Sequence, residues 1–296
     1  MPRRLIVVVA SLSLLLCVAL LVLPSSKDPH SRLVENPIVE YEAAKARDNT
    51  TVLKVMSLNA AHGRGTSFSQ ILLSKDQIEA NLNAIAQYII EEDPDLVALQ
   101  EIDAPSWWTG NVDQVRYLAE QSGFAWSSHG INTRNIFGNY GTAILSKHPI
   151  LAANRYNFAP SPPTPQKGFT HIEVLWQQQR VNVVSMHLDF ARRSVRQTQS
   201  EAMNDLVRLN AAPSIVMGDF NSQWAKPQSV VRSVANSPHL KAYAVDSNEL
   251  GSYGNDRIDW IFVSPKIEFV SYRNGPALFS DHRPVIAQLK LKPHKD

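Results

Sequence analysis

The chain of 296 residues carries 29 lysines and arginines against 27 acidic residues, a formal charge of +2, and is 44% hydrophobic and 19% charged. Beyond an N-terminal segment this suits one large globular domain with its own core, and it gives no overall field for gripping a polyanion. The single cysteine, Cys17, leaves neither a disulfide framework nor thiolate chemistry to the domain.

Met1-Pro2-Arg3-Arg4 precedes an apolar run from Leu5 to Leu23, broken only by Ser11 and Ser13. The run is long enough to span a bilayer and long for a signal-peptide core. Arg3 and Arg4 hold residues 1–4 in the cytoplasm and put the remainder outside it. Leu23-Pro24-Ser25-Ser26 is a poor cleavage site, so an uncleaved anchor at 5–23 is preferred to a cleaved signal peptide, which would give a secreted protein. A buried core helix ranks third. Residues 24–50, with Pro24, Pro29 and Pro37, read as a linker with a helical turn near Tyr41 to Arg47, and 51–296 as the globular domain.

Val52 to Asn59 alternates as a first strand and leads into the loop His62-Gly63-Arg64-Gly65. Ser74 caps a helix with Gln77 as its box partner. Ile78, Leu82, Ile85 and Ile89 give that helix one apolar face, and Asp93-Pro94 ends it. Asp95 to Gln100 is the second strand, closing on Glu101. A second amphipathic helix carries Val112, Val115 and Leu118 and stops at Gly123. Thr142–Leu145, Gly168–Leu175 and Val181–Ser185 are further strands, with Ala159 to Pro165 a proline-rich loop. A helix from about Ser194 to Leu209 leads into the strand Ile215–Met217, and Ile258–Val263 and Pro284–Leu291 supply late strands. Helices alternate with strands early and strands dominate late, a pattern of two packed mixed sheets with helices outside, an α/β sandwich.

Several strand ends finish in residues able to do chemistry. They are Asn59, Glu101, His187 with Asp189, Asp219 with Asn221, and Asp259 followed later by Ser280-Asp281-His282. Ligands of α/β sheets commonly bind at such ends. Each position has an ordinary alternative. Gly218-Asp219-Phe220-Asn221 is also turn chemistry, Glu101 a surface carboxylate, His187 a core histidine, and Asp259 a partner of Arg257. Five coincidences of this kind are less probable than one site.

Met56-Ser57-Leu58-Asn59, Leu99-Gln100-Glu101, Ser185-Met186-His187-Leu188-Asp189, Gly218-Asp219-Phe220-Asn221, Arg257-Ile258-Asp259-Trp260 and Ser280-Asp281-His282-Arg283-Pro284 together resemble the successive motifs of the endonuclease/exonuclease/phosphatase superfamily. That family takes in deoxyribonuclease I-like nucleases, neutral sphingomyelinases and inositol polyphosphate phosphatases. The resemblance covers roughly residues 51–291 and implies a four-layer α/β sandwich hydrolysing a phosphate ester. It implies Glu101 as chief ligand of magnesium (manganese as a substitute), with Asn59 beside it and Asp281 as a further ligand. It also implies Asp219 as the group that orients or deprotonates water, Asn221 on a phosphoryl oxygen, and His282 paired with Asp259 against the phosphate. His187 would donate to the non-bridging oxygen or help the leaving group, and Asn139 and Asp189 would meet the substrate. Whether Asp219 or His282 is the base stays open.

The basic residues a nuclease would use, Arg64, Arg134, Lys167, Arg192, Arg193 and Arg196, are scattered. Membrane tethering points instead to an extracytoplasmic lipid head group or another phosphodiester, handled by a monomer. A nucleic acid is the less favoured partner. Trp107-Trp108 is a candidate interfacial wedge, with packing under a loop as its alternative. His129-Gly130-Ile131-Asn132 and the long loop after Asn59 resemble the sphingomyelinase-like and glycosylphosphatidylinositol-remodelling branches. A catalytically inactive binding module is the alternative of another class, but Glu101, Asp219 and His282 are all in place.

Overall fold

The computed structural model describes residues 33–42, 46–47, 50–247, 249–277 and 279–293. Two seven-stranded mixed sheets pack face to face. The first contains β1 (Leu33–Glu35), β7 (Ile150–Asn157), β8 (Gly168–Trp176), β9 (Gln179–His187), β10 (Ser214–Asp219), β12 (Asp259–Val263) and β11 (Lys241–Ala242), in that order. The second runs β13 (Ile267–Asn274), β14 (Val285–Leu291), β3 (Leu53–Asn59), β4 (Leu96–Asp103), β6 (Asn139–Ser146), β5 (Trp126–Arg134) and β2 (Val39–Glu40). Among the described strands only β3–β4 and β9–β10 pair in parallel.

Alternation along the strands divides the apolar residues among three interiors. Val55, Leu96 and Ala98 meet Val183, Ile215 and Ile261 between the sheets. Met56, Leu58, Val97 and Leu99 face α1 (Lys75–Glu92) and α2 (Gln114–Ser122). Val184, Met186 and Val216 face α3 (Arg193–Leu209) and α4 (Val230–Ala235). The result is the expected four-layer α/β sandwich.

Local chemistry sets the helix ends. Ser74 Oγ accepts from the Gln77 amide while Gln77 Oε1 accepts from the Ser74 amide, the reciprocal capping box. Asp93, at φ +47°, closes α1 in the left-handed conformation before Pro94. Gly123 does the same for α2 at φ +71°.

Four strands beyond the linker, β5, β7, β11 and β13, have no counterpart in the sequence reading. Trp126-Ser127-Ser128-His129-Gly130 is polar yet buried along much of its length, and β13 lies at a sheet edge with few buried side chains, so neither carries a period-2 apolar signal. Part of the segment read as linker is strand. Leu33–Glu35 extends one sheet beside β7, and Val39–Glu40 extends the other beside β5. Pairing with exposed edges costs no apolar pattern, which is why composition did not disclose it. Residues 43–45, within the predicted helical turn, and the run 5–23 lie outside the described residues. Among the described residues no helix is long and apolar enough to cross a membrane.

Candidate active site

One rung of the first sheet lines up the chemistry. Gly168 on β8 pairs with His187 on β9, His187 with Asp219 on β10, and Asp219 with Asp259 on β12. β10 must lie close to β9 here. A Cβ on Gly218 would stand 1.9 Å from the Met186 carbonyl oxygen, so only glycine fits before Asp219.

The second sheet contributes Asn59 and Glu101. Glu101 is the extra residue of a β-bulge in β4: its φ is +47°, and the register to β6 slips between Gln100 and Ile102. Leu99 and Ile102 both reach the helix-facing core, whereas Gln100 turns between the sheets to donate to Ser185 Oγ at 3.0 Å. The bulge re-aims the Glu101 side chain into the gap between the sheet ends. There Asn59, Glu101, His187, Asp219, Asn221, Asp281 and His282 line one cavity of about 350 Å³.

Asp219 is held from two sides. Asn59 Nδ2 donates to its Oδ2 at 3.1 Å and the Asn221 amide to its Oδ1 at 2.8 Å. Burial and the charge of Asp259 push its pKa up to about 7, against the pull of His282. His282 Nδ1 lies 2.8 Å from Asp259 Oδ2, and its Nε2 points to Asp219 Oδ2 at 4.0 Å. Burial opposes charge on the imidazole, but Asp259 outweighs it and raises the pKa to about 10. His187 Nε2 stands 3.6 Å from Asp219 Oδ2. Burial and the neighbouring Lys167 cation drive the His187 pKa well down, which keeps the ring neutral.

Two residues without an expected catalytic role complete the site: His62, and Lys167, which figured only among the scattered cations of a nuclease reading. Lys167 is 5% exposed, with Nζ 3.6 Å from Glu101 Oε1 and 3.2 and 3.0 Å from the two ring nitrogens of His187. Near-equal distances to both nitrogens put the ammonium against the ring rather than in line with one lone pair. Burial lowers the Lys167 pKa despite Glu101. On the other side His62 Nε2 is 3.7 Å from Glu101 Oε2, while its Nδ1 meets the fully buried Asp103 at 2.7 Å. Burial disfavours the His62 charge, but Asp103 more than offsets this and its pKa rises. Burial also disfavours charge on Glu101; His62, Lys167 and His187 overcome it and hold this carboxyl far below its ordinary range. A histidine between a strand end and two glycines, in His62-Gly63-Arg64-Gly65, was the available sequence signal, and the φ of +58° at His62 marks a strained turn.

Two expected substrate contacts stand apart from the cavity. Asp189 is fully buried. Its Oδ1 accepts from the amides of Ala191 and Arg192 at 2.9 and 2.7 Å, and its Oδ2 is met by Ser161, Thr164 and Arg192. It fastens the proline-rich loop to the start of α3, so both carboxylate oxygens are taken up within the fold. Asn139 opens β6 beside Ser106, outside the cavity lining. Asp281 reaches the cavity, but its Oδ2 is ion-paired with Arg64 at 2.6 Å. Trp108 is packed, donating its Nε1 to Asp103 at 2.6 Å, so of the proposed wedge only Trp107 is exposed.

Asp219, Asp259 and His282 form a buried group whose ligand atoms lie within 4.8 Å of one another, a candidate metal site. The oxygens of Glu101 form a second, all-oxygen donor set, with the side chains of His62, Lys167 and His187 at 3.6–3.8 Å from them, beyond hydrogen-bond distance. Magnesium chemistry fits the second better, because it takes oxygen donors and the Nδ1 of His282 is already committed to Asp259.

The family model described as "Endonuclease/Exonuclease/phosphatase family" matches residues 56–282. No curated protein matches the chain. Among solved structures, an endonuclease/exonuclease/phosphatase from Bacteroides vulgatus superposes with a TM-score of 0.64 at 17% identity, covering 82% of this chain and all of that one. One from Beutenbergia cavernae gives 0.63 at 20% identity, covering 82% of this chain and 72% of that one. TDP2 from Caenorhabditis elegans gives 0.60 at 16% identity, over 82% and 77%. At these identities the likeness carries the fold alone.

Proposed function

The chain belongs to the endonuclease/exonuclease/phosphatase family, and from its site we propose that it is a divalent-metal-dependent phosphodiesterase acting on a lipid head group at the outer face of a membrane. The observation that carries the hydrolytic reading is the convergence of Asn59, Glu101, His187, Asp219 and His282, drawn from both sheets, on one cavity.

Glu101 would hold magnesium, with Asn59 and Asp281 offering further oxygens. When bound, the ion would neutralise phosphoryl charge and lower the pKa of water. Asp219 is the base in this reading. Its two oxygens are aimed by Asn59 and the Asn221 amide, and its raised pKa suits proton exchange near neutrality. His282 keeps its proton through Asp259 and donates from Nε2 to a phosphoryl oxygen. His187, neutral and held against Lys167, orients the same phosphate.

The lipid preference draws on the apolar run 5–23 and on the use made of the basic residues. Arg64 is bound to Asp281, Arg192 to Asp189, Arg193 to the Gln228 carbonyl and Arg196 to the Asp189 carbonyl. Cations spent on the protein's own acceptors give little grip on a nucleic-acid backbone.

The test is turnover by the full chain in detergent on sphingomyelin, a phosphoinositide, single-stranded and duplex DNA and a phosphomonoester, with magnesium, manganese or chelator. Metal-dependent hydrolysis of a lipid diester is expected. Faster cleavage of DNA would replace this reading with that of a nuclease. No turnover on any substrate, with wild type equal to Glu101→Gln, would leave a binding module.

A further inference from the structure

Seven large apolar side chains are more than half exposed among the described residues: Phe68 (96%), Ile71 (51%), Leu72 (75%), Trp107 (66%), Ile136 (73%), Phe190 (58%) and Leu209 (76%). Leu209 ends α3 at the far end of the sandwich. The other six lie on loops leaving the catalytic ends of the strands. Phe68, Ile71 and Leu72 follow β3, Trp107 follows β4, Ile136 sits in the β5–β6 hairpin, and Phe190 follows β9 beside the cavity. The loops are joined through Trp108, whose amide donates to the Phe137 carbonyl and whose ring packs 5.2 Å from His62. An apolar rim of this size on one end of a domain needs a partner.

The topology supplies one. Leu33, where the described chain starts, pairs with Tyr156, and Tyr156 pairs with Phe169, one rung from the Gly168–His187 pair. β1 runs away from this rung, so the chain enters the domain at its catalytic end. Only residues 24–32 separate this entry from the apolar run 5–23, a reach of at most about 30 Å even when extended. A span at 5–23 would therefore tie the catalytic end, rather than the opposite end, to the bilayer.

We infer that the domain stands on its own membrane with the active site facing down, and that Phe68, Leu72, Trp107 and Ile136 enter the boundary between head groups and acyl chains. This rests on the lipid reading above for its benefit: the cavity opens where a head group emerges and the substrate need not leave the bilayer. Tryptophan and phenylalanine favour that boundary, and aliphatic side chains beside them add buried apolar area. Arg64 and Asp281, paired at the cavity lining, stay at head-group level.

Trp107 is the only exposed one of the six tryptophans, which makes it a reporter. The full chain is placed in nanodiscs of ordinary phosphatidylcholine or of phosphatidylcholine with brominated acyl chains. The emission difference between wild type and Trp107→Phe is then compared between the two. Loss of half or more of that difference in brominated discs is expected, and an unchanged difference overturns the inference. A second arm uses Phe68→Ser/Leu72→Ser/Trp107→Ser/Ile136→Ser, four exposed sites outside the cavity. Its kcat/KM on sphingomyelin in vesicles falls about tenfold or more, while that on soluble bis(p-nitrophenyl) phosphate is retained. Equal loss on both substrates overturns the inference, as does cross-linking at position 107 that captures a second copy of the chain in place of lipid. Quenching with no lipid turnover leaves the docking intact and removes the lipid substrate. Lipid turnover without quenching does the reverse.

Discussion

His282 Nδ1 and Asp259 Oδ2 are 2.8 Å apart, both nearly excluded from solvent, and the other oxygen of Asp259 has no hydrogen-bond partner. The carboxylate therefore has one main task, holding the imidazole charged and aimed at Asp219. Asp259→Asn should keep the fold and lower the His282 pKa from about 10. The alkaline limb of the pH–rate profile would then move to lower pH. The stability sign agrees: with a folded pKa raised above the ordinary value of about 6.5, the pair stabilises the protein fully below that pH and loses this as pH rises through about 10. His282→Ala should cost about 10²–10⁴-fold in kcat/KM. In that background Asp259→Asn should add little, and fully multiplicative losses would show Asp259 acting elsewhere.

Glu101→Gln removes the cavity carboxylate that stands between Lys167, His62 and His187. Turnover should fall by about 10²–10³-fold or more. Calorimetric titration with magnesium or manganese should weaken at the same time. Unchanged metal affinity would move the metal to the Asp219–Asp259–His282 group, which Asp259→Asn would then reveal in the same titration.

Lys167→Met keeps the buried stem and deletes a cation 3.6 Å from Glu101. A fixed positive charge there competes with a metal ion for the carboxylate. Divalent-metal affinity should rise by roughly tenfold, while kcat falls because His187 loses its support. Weaker metal binding in this variant would contradict the opposition of charges.

Gly218→Ala tests the close approach of β9 and β10. The new methyl would meet a backbone carbonyl, which cannot swing aside as a side chain does. A loss of at least about 2–3 kcal/mol is expected from the strand shift, read as a lower thermal midpoint. A variant as stable as wild type would show that the two strands can part without cost.

The residues that define the site were legible because each closes a strand with a polar group after an apolar run, as at Met217-Gly218-Asp219 and Ser185-Met186-His187. α1 was legible to the residue, since capping is a local exchange between Ser74 and Gln77. Asp189 shows where this fails. It has the same look as Asp219, an acid just past a strand, yet folds back onto the 191–192 amides and Thr164.

Sequence by itself determined the layers, the strand ends and the family pattern, because hydrophobic periodicity and turn chemistry act over a few residues. Tertiary structure alone decided that a bulge turns Glu101 into the cavity, that Lys167 and His62 flank it, and that Asn59 reaches Asp219 across 160 positions. It also decided that Leu33 enters at the His187 end of the sheet, three strands away, rather than at the other end. Such relations depend on register and on pairing between distant strands, whose energy lies in the summed packing of both sheets and leaves no mark on any short stretch of chain.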